Sequence, residues 1–71
     1  MKKGDAIMVS GMGRTLPGFV ELASANGLSL LVTFDGGIGG HMGCAALLWE
    51  DGAYRSVVDG TVMTVTGRPA P

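Results

Sequence analysis

Residues 19–35 have the sequence FVELASANGLSLLVTFD, and this stretch decides the fold. In residues 28–35 an apolar side chain recurs at every second position, which is the period of a β-strand with one buried face. Asn26 and Gly27 form a dipeptide that is favoured in tight hairpin turns because both residue types tolerate positive φ. The stretch therefore predicts two antiparallel strands, at 19–25 and 28–35, joined by a turn.

The two predicted strands each carry an apolar face. In the first strand Val20 and Leu22 fall on the same side, which we expect to be buried. In the second strand Leu31 interrupts the polar face to which Ser29 and Thr33 belong. An exposed leucine at that position would suit a contact with another subunit.

Turn residues divide the rest of the chain into similar pieces. Thirteen glycines and three prolines leave little room for a helix, and Asp51-Gly52 and Asp59-Gly60 are further hairpin-type dipeptides. The strands predicted between these turns are residues 5–10, 19–25, 28–35, 45–50, 53–58 and 61–66. Such strands predict an all-β domain at residues 1–66, closed as a small barrel, with a flexible tail at 67–71.

The chain is short and poor in charge, and both properties favour self-association. A domain of 71 residues buries only a small core, and its one cysteine cannot close an internal disulfide. Charged residues make up 15% of the chain and apolar residues 46%, so little charge is available to cover a monomer. Residues 45–50 are apolar on both faces, and we expect a partner to cover the outer one. The sequence therefore predicts a homo-oligomer.

The balance of charge disfavours a dedicated nucleic-acid binder, whose affinity comes largely from a basic face. The net charge is −1, and the cations are scattered along the chain at Lys2, Lys3, Arg14, Arg55 and Arg68. No apolar run reaches the roughly 18 residues that a membrane span needs, and the N-terminal segment lacks the apolar core of a signal peptide. With one unpaired cysteine, these features predict a cytoplasmic protein without a membrane partner.

The first half of the chain resembles the KOW motif of SH3-like barrels. The residues that carry the resemblance are KKGDAIMVSG at 2–11 and LPGFVELASANGLSLLVTFD at 16–35. Gly4-Asp5 would open the first strand, and Gly18 would match the family's glycine at the start of the second. The resemblance implies an SH3-like barrel of five to six short antiparallel strands that binds RNA or protein. RNA-binding members tend to carry several basic residues after the first strand, where this chain has only Arg14.

A glycine-rich stretch, DGGIGGHMGC at residues 35–44, contains the only histidine and the only cysteine. His41 and Cys44 could share a metal ion, but a structural site needs about four ligands and nothing else in the chain completes one. A nucleophile and its base would also need an orienting group and a pocket. We therefore predict no catalytic residue, metal or cofactor. We expect residues 36–43 to be a loop that needs backbone freedom, with Cys44 as a small buried residue.

Two aromatic residues, Trp49 and Tyr54, flank the Asp51-Gly52 turn and could pair across it. They would either pack in a core or a subunit interface, where aromatic residues are common, or form a peptide-binding platform.

These observations predict a non-enzymatic binding and assembly module, which is a homo-oligomeric barrel that contacts a protein partner. The predicted binding residues are Trp49, Tyr54, Leu31, Arg14 and His41. Two alternatives stay open. One is a KOW-like RNA-binding protein that uses Arg14, Lys2 and Lys3. The other is a small oligomeric enzyme that uses His41 and Cys44 in a pocket between subunits.

Overall fold

The computed structural model describes residues 1–69, and these residues form a closed antiparallel barrel of six strands. The strands are β1 (Ala6–Gly11), β2 (Arg14–Ala23), β3 (Ser29–Ile38), β4 (His41–Glu50), β5 (Ala53–Ser56) and β6 (Val62–Gly67). Each strand pairs with the next, and β6 returns to β1 to close the ring. The prediction of an all-β barrel is confirmed, and the architecture is compatible with an SH3-like barrel. None of the described residues forms a helix long and apolar enough to cross a membrane.

The barrel interior is filled by one face of each long strand. In β3 the structure shows the alternation that the sequence predicts: Leu30, Val32 and Phe34 are buried, and Ser29 and Asp35 are exposed. The buried core consists of Ile7, Val9, Leu16, Val20, Leu30, Val32, Phe34, Ile38, Ala45, Leu47 and Met63. Closure pairs every strand with two neighbours, so no strand of the ring has an edge that is unpaired along its whole length.

Close backbone approach between β2 and β3 depends on Gly18. Gly18 is buried and lies opposite Phe34 in the β2–β3 ladder. A Cβ atom at this position would overlap the carbonyl oxygen of Thr33. Only glycine fits so near another strand. The resemblance placed Gly18 at the start of the second strand, whereas β2 begins at Arg14 and Gly18 lies inside it.

The glycine-rich stretch is not a loop, and that prediction was wrong. The β3–β4 hairpin extends to Ile38 and His41, so only Gly39 and Gly40 form the turn. The extra residues are absorbed by a bulge between Thr33 and Gly37, where the register of the ladder shifts. Glycines at positive φ shape this bulge, and ladder hydrogen bonds hold the stretch on both sides of it.

A second bulge turns Leu22 away from the core, so the prediction that it shares a face with Val20 was wrong. Val20 pairs with Val32 and Leu22 pairs with Leu31, which leaves Glu21 as an extra residue in β2. One inserted residue reverses the side on which the following side chain lies. Leu22 is therefore on the outer surface with 56% of its surface exposed.

Cys44 is also exposed, contrary to the expected burial. Along β4 the inward positions are His41, Ala45 and Leu47, and Cys44 occupies the opposite face. The C-terminal tail begins later than expected, because Gly67 belongs to β6 and pairs with Ile7. Arg68 is held to β1 by a backbone hydrogen bond to the carbonyl of Ala6. Residues 70 and 71 of the expected tail lie outside the described residues.

Candidate functional site

A row of apolar side chains crosses the outside of the barrel from β2 to the segment after β5. Leu22 pairs with Leu31, and Leu31 pairs with Ala46. The amide of Val57 donates a hydrogen bond to the carbonyl of Ala46, which places Val57 fourth in the line. We call Leu22, Leu31, Ala46 and Val57 the outer row. With strands about 4.8 Å apart, three spacings make the row about 14 Å wide.

The outer row lies between two shallow depressions of the surface. One has a volume of about 340 Å³ and is lined on β2 and β3 by residues that include Leu22, Ser24 and Ser29. The other has a volume of about 390 Å³, and Met42, Cys44 and Val58 are among the residues that line it. Leu31 and Ala46 line both depressions, so they form the ridge between them. This relief would allow the projecting side chains of one copy to enter the depressions of another.

Charges stand beside the outer row and not within it, and Asp59 lines one of the two depressions. Glu21 is the extra residue of the β2 bulge, and Arg55 lies beyond Leu48 at the other side. Leu48 and Met42 add exposed apolar surface beside the row, and 76% of the Met42 surface is exposed. An apolar centre with a charged rim is the usual composition of a protein–protein interface.

A buried polar cluster holds the segment that carries Val57. His41 is 8% exposed, and its Nε2 lies 2.7 Å from the Oγ of Ser56. The same Nε2 is 3.5 Å from the Oδ1 oxygen of Asp59. The amide of Val58 donates to the Ser56 hydroxyl oxygen, and the amide of Thr61 donates to the Asp59 carboxylate. The turn after β5 is thereby held against β4, because Ser56 before the turn and Asp59 within it both lie close to His41.

The hydrogen bonds indicate which nitrogen of His41 carries the proton. Nδ1 is buried and has no partner among the described residues. A hydrogen on Nδ1 would face no acceptor, so we assign the hydrogen that the ring donates to Nε2. That hydrogen is donated to Ser56, and the Ser56 hydroxyl is free to donate to Asp59. The pKa of Asp59 is lowered from its ordinary value of 3.8, first by the hydrogen bond from the Thr61 amide and then by that from the Thr61 hydroxyl; burial opposes the shift, and His41 and Ser56 add to it.

The structure does not bring His41 and Cys44 together as a reacting pair within one chain. They lie on opposite faces of β4, since His41 points into the barrel and Cys44 is exposed outside. Ser56 is buried and engaged in hydrogen bonds, and it lines the 390 Å³ depression together with His41, Cys44 and Asp59. Among residues 1–69, no three His, Cys, Asp or Glu side chains are grouped closely enough to hold a metal ion.

Trp49 and Tyr54 lie opposite each other across the Asp51-Gly52 turn. Their ring centroids are 4.9 Å apart with the rings nearly perpendicular, which is a favourable edge-to-face geometry. The Tyr54 hydroxyl donates to the carbonyl of Gly27 at 2.6 Å. This bond fixes Tyr54 against the β2–β3 turn, and Trp49 remains 47% exposed.

The cations do not combine into one basic face. Arg14 begins β2 and donates to the carbonyl of Gly37 at 2.8 Å, whereas Lys2 and Lys3 precede β1 at the opposite end of the barrel. Arg68 lies over the ring of Phe19 at 4.8 Å and donates to backbone carbonyls. Three of the five cations are therefore bonded to or stacked on the barrel itself, since Arg55 also donates to a backbone carbonyl.

No protein-family model, no curated protein and no solved structure matches this chain. The conclusions about function therefore depend on the surfaces described above.

Sequence reasoning found Leu31 but missed the other members of the outer row. Leu22 was assigned to the core because the bulge at Glu21 has no signal in a simple alternation. Val57 was read as part of a regular strand, whereas β5 ends at Ser56. The chain's only histidine was identified as a candidate, but its partner Ser56 lies 15 positions away and no local motif connects them.

Proposed function

We propose that this chain is an assembly and binding module in which the outer row of one barrel packs against the outer row of a second copy. The observation that carries the proposal is the register that aligns four apolar side chains across the sheet without a charge among them. Because Leu31 and Ala46 form a ridge between two depressions, the same surface presents both projections and recesses. A surface of that kind suits a twofold contact, in which identical patches meet.

The available area supports a second copy as the occupant. A stable interface buries about 800 Å² on each partner. The barrel exposes 4199 Å², so such an interface would take about one fifth of its surface. The outer row spans four neighbouring strand positions of a six-membered ring and would form the centre of such an interface, with Met42 and Leu48 adding exposed apolar surface beside it. A net charge of −1 adds little repulsion between copies.

The thiol of Cys44 gives a direct test, because Cys44 lies two residues before Ala46 in β4 and on the same outer face. Association would shield it, so the rate of alkylation by N-ethylmaleimide should rise as the protein is diluted. Leu22→Lys places a charge in the outer row at an exposed position, and we expect it to make alkylation fast at every concentration. Thr64→Lys, at an exposed position of β6, is the matched control and should behave like the unaltered chain.

An alkylation rate that does not depend on protein concentration, or that Leu22→Lys leaves unchanged, would contradict the proposal. The outer row would then have to be covered by a different protein, or by none.

The KOW-like character of residues 2–35 is part of the same proposal. It is supported by the meander of β1, β2 and β3, by Gly4-Asp5 just before β1, and by the close approach at Gly18. The dispersed cations favour the protein-binding members of that class over the RNA-binding ones. A free, exposed thiol at Cys44 fits a reducing compartment such as the cytoplasm.

A further inference from the structure

The outer row divides the outer face of the barrel into two flanks. On one side Leu48 follows Ala46 in the outward alternation of β4, and its partner on β5 is Arg55. On the other side Cys44 precedes Ala46, and Asp59 lines the same 390 Å³ depression as Cys44. We call these sides the Leu48 flank and the Cys44 flank. A cation therefore lies on the first flank and a carboxylate on the second.

Both charged groups can accept a further partner. The Nε of Arg55 donates to the carbonyl of Glu50 at 3.4 Å, and its terminal nitrogens make no hydrogen bond with residues 1–69. The Asp59 carboxylate accepts the Thr61 amide, and 47% of its side chain is exposed. Among residues 1–69, Asp59 approaches one cationic partner, His41, and Arg55 forms no ion pair. A guanidinium and a carboxylate are thus available beside the outer row.

The direction of the twofold axis decides which flanks meet when two copies pack face to face. Two identical sheets that meet in this way are related by an axis that lies in the plane between them. If the axis runs along the outer row, each strand faces its own counterpart and each flank faces the opposite flank of the second copy. If the axis runs parallel to the strands, each flank faces itself, and β2 faces the segment after β5.

An axis parallel to the strands would bring carboxylates together. Glu21 lies in the β2 bulge on the Cys44 flank, because Phe19 before it pairs with Thr33, and Thr33 pairs with Cys44. Asp59 belongs to the same flank, at the end that follows β5. This axis therefore places Glu21 of each copy toward Asp59 of the other, and the two like-charge contacts oppose association.

An axis along the outer row brings opposite charges together instead. Arg55 comes two residues before Val57 and Asp59 two residues after it, so the two charges flank the same end of the row. Each Arg55 then faces Asp59 of the other copy, and symmetry forms this pair twice. Leu48, which is 45% exposed, faces the 390 Å³ depression on the Cys44 flank. Charge and shape therefore favour the same orientation.

We propose that the twofold axis runs along the outer row, so that Arg55 of one copy binds Asp59 of the second and Leu48 of one copy enters the depression of the second. This inference rests on the proposed self-association and adds the contacts that fix its orientation. The occupant of the depression is a second copy of this chain, and each copy completes the site of the other. The same contact covers the Cys44 thiol, which lines the depression.

Reversing one charge at a time tests the orientation. Arg55→Glu places carboxylates against Asp59, and Asp59→Lys places ammonium groups against Arg55, so each variant alone should dimerise at least about tenfold more weakly than the unaltered chain. In a mixture, one copy of each variant restores two pairs of opposite charge, because each retains the residue that the other has lost. Native mass spectrometry separates the three dimers by mass, and we expect the mixed dimer to predominate.

Lys3→Glu is the control for charge reversal, because Lys3 is exposed before β1 and outside both flanks. Its dimerisation should stay within about twofold of that of the unaltered chain. Unchanged dimerisation of Arg55→Glu and Asp59→Lys, or no more mixed dimer than random pairing gives, would overturn the proposal and leave self-association standing. A monomeric unaltered chain would overturn both.

Leu48→Ala tests the second contact without altering the turn that carries Asp59. It should weaken dimerisation at least about fivefold, because each dimer loses two leucine side chains from its interface. Leu28→Ala removes the same atoms from a leucine of similar exposure, 47% against 45%, that lies between β2 and β3 and away from the outer row. Its dissociation constant by sedimentation equilibrium should stay within about twofold of the unaltered value. Equal dissociation constants for the two variants would overturn the proposal, whatever Asp59→Lys does to the fold.

Discussion

Single positions in this barrel differ sharply in the substitutions that they accept. Gly18 and Gly40 are both glycines of long hairpins, yet a Cβ at Gly18 would overlap the Thr33 carbonyl, whereas one at Gly40 would meet nothing within 4 Å. Gly40 also lacks a positive φ. Comparing alanine substitutions at the two positions therefore measures the destabilisation caused by the close approach of β2 and β3, as distinct from that of replacing any glycine.

We predict that Gly18→Ala destabilises the protein by about 3 kcal/mol or more, because the backbone of β2 must move away from β3 to admit the methyl group. Gly40→Ala is the control and should stay within about 0.5 kcal/mol of the unaltered chain. Urea unfolding at one fixed protein concentration measures both. Equal stability of the two variants would contradict the described packing of β2 on β3.

Ser56 is the second residue with a sharp prediction. Its Oγ lies 2.7 Å from Nε2 of the buried His41 ring, so Ser56→Ala removes the hydrogen bond between them. We expect a loss of about 1–3 kcal/mol, the usual cost of an unsatisfied buried polar group. Ser10 also makes a side-chain hydrogen bond, to Thr15, but on the exposed surface. Ser10→Ala should cost less than about 0.5 kcal/mol, and a similar cost for both variants would argue against the buried cluster.

At the scale of the strands, regular alternation was informative, but two of the three hairpin-type dipeptides were not. Asn26-Gly27 and Asp59-Gly60 lie in longer connections in which only the glycine has a positive φ, so the prediction of two-residue turns there was wrong. All six predicted strands exist, and the alternation in β3 identified its buried face correctly. The Asp51-Gly52 turn was also anticipated, and both residues have the positive φ that such a turn requires. These features depend on neighbours in the chain, which is why the sequence contains them.

The two bulges mark what local patterns could not predict. The extra residue at Glu21 moves Leu22 to the surface, and the bulge near Gly37 lets a glycine-rich stretch extend the β3–β4 ladder. Each depends on a register between strands that is set by the closure of the whole barrel. The outer row is a consequence of the first bulge, so the sequence could not show the row even though it identified Leu31.

The turn at residues 57–61 should respond to acid. The pKa of Asp59 is lowered in the folded protein, chiefly because its carboxylate accepts the Thr61 amide. A depressed folded pKa contributes stability that is present above the unfolded pKa and is lost as the pH falls through the folded value. We therefore expect the protection factors of the amides in residues 57–61, taken relative to intrinsic exchange at each pH, to fall selectively below about pH 4. Asp59→Asn should remove this dependence, and an unchanged pH profile in that variant would contradict the role of Asp59.

For the molecule as a whole, a chain with 15% charged residues has little charge with which to cover its outer surface. The apolar outer row is the surface that we expect a second copy to cover.

The most direct test of self-assembly is the mass of the unaltered chain by sedimentation equilibrium over a dilution series in the micromolar range. A dimer or larger species is expected, which dissociates on dilution and is weakened by Leu22→Lys but not by Thr64→Lys. A mass of 7.2 kDa for the unaltered chain at every concentration would contradict the account.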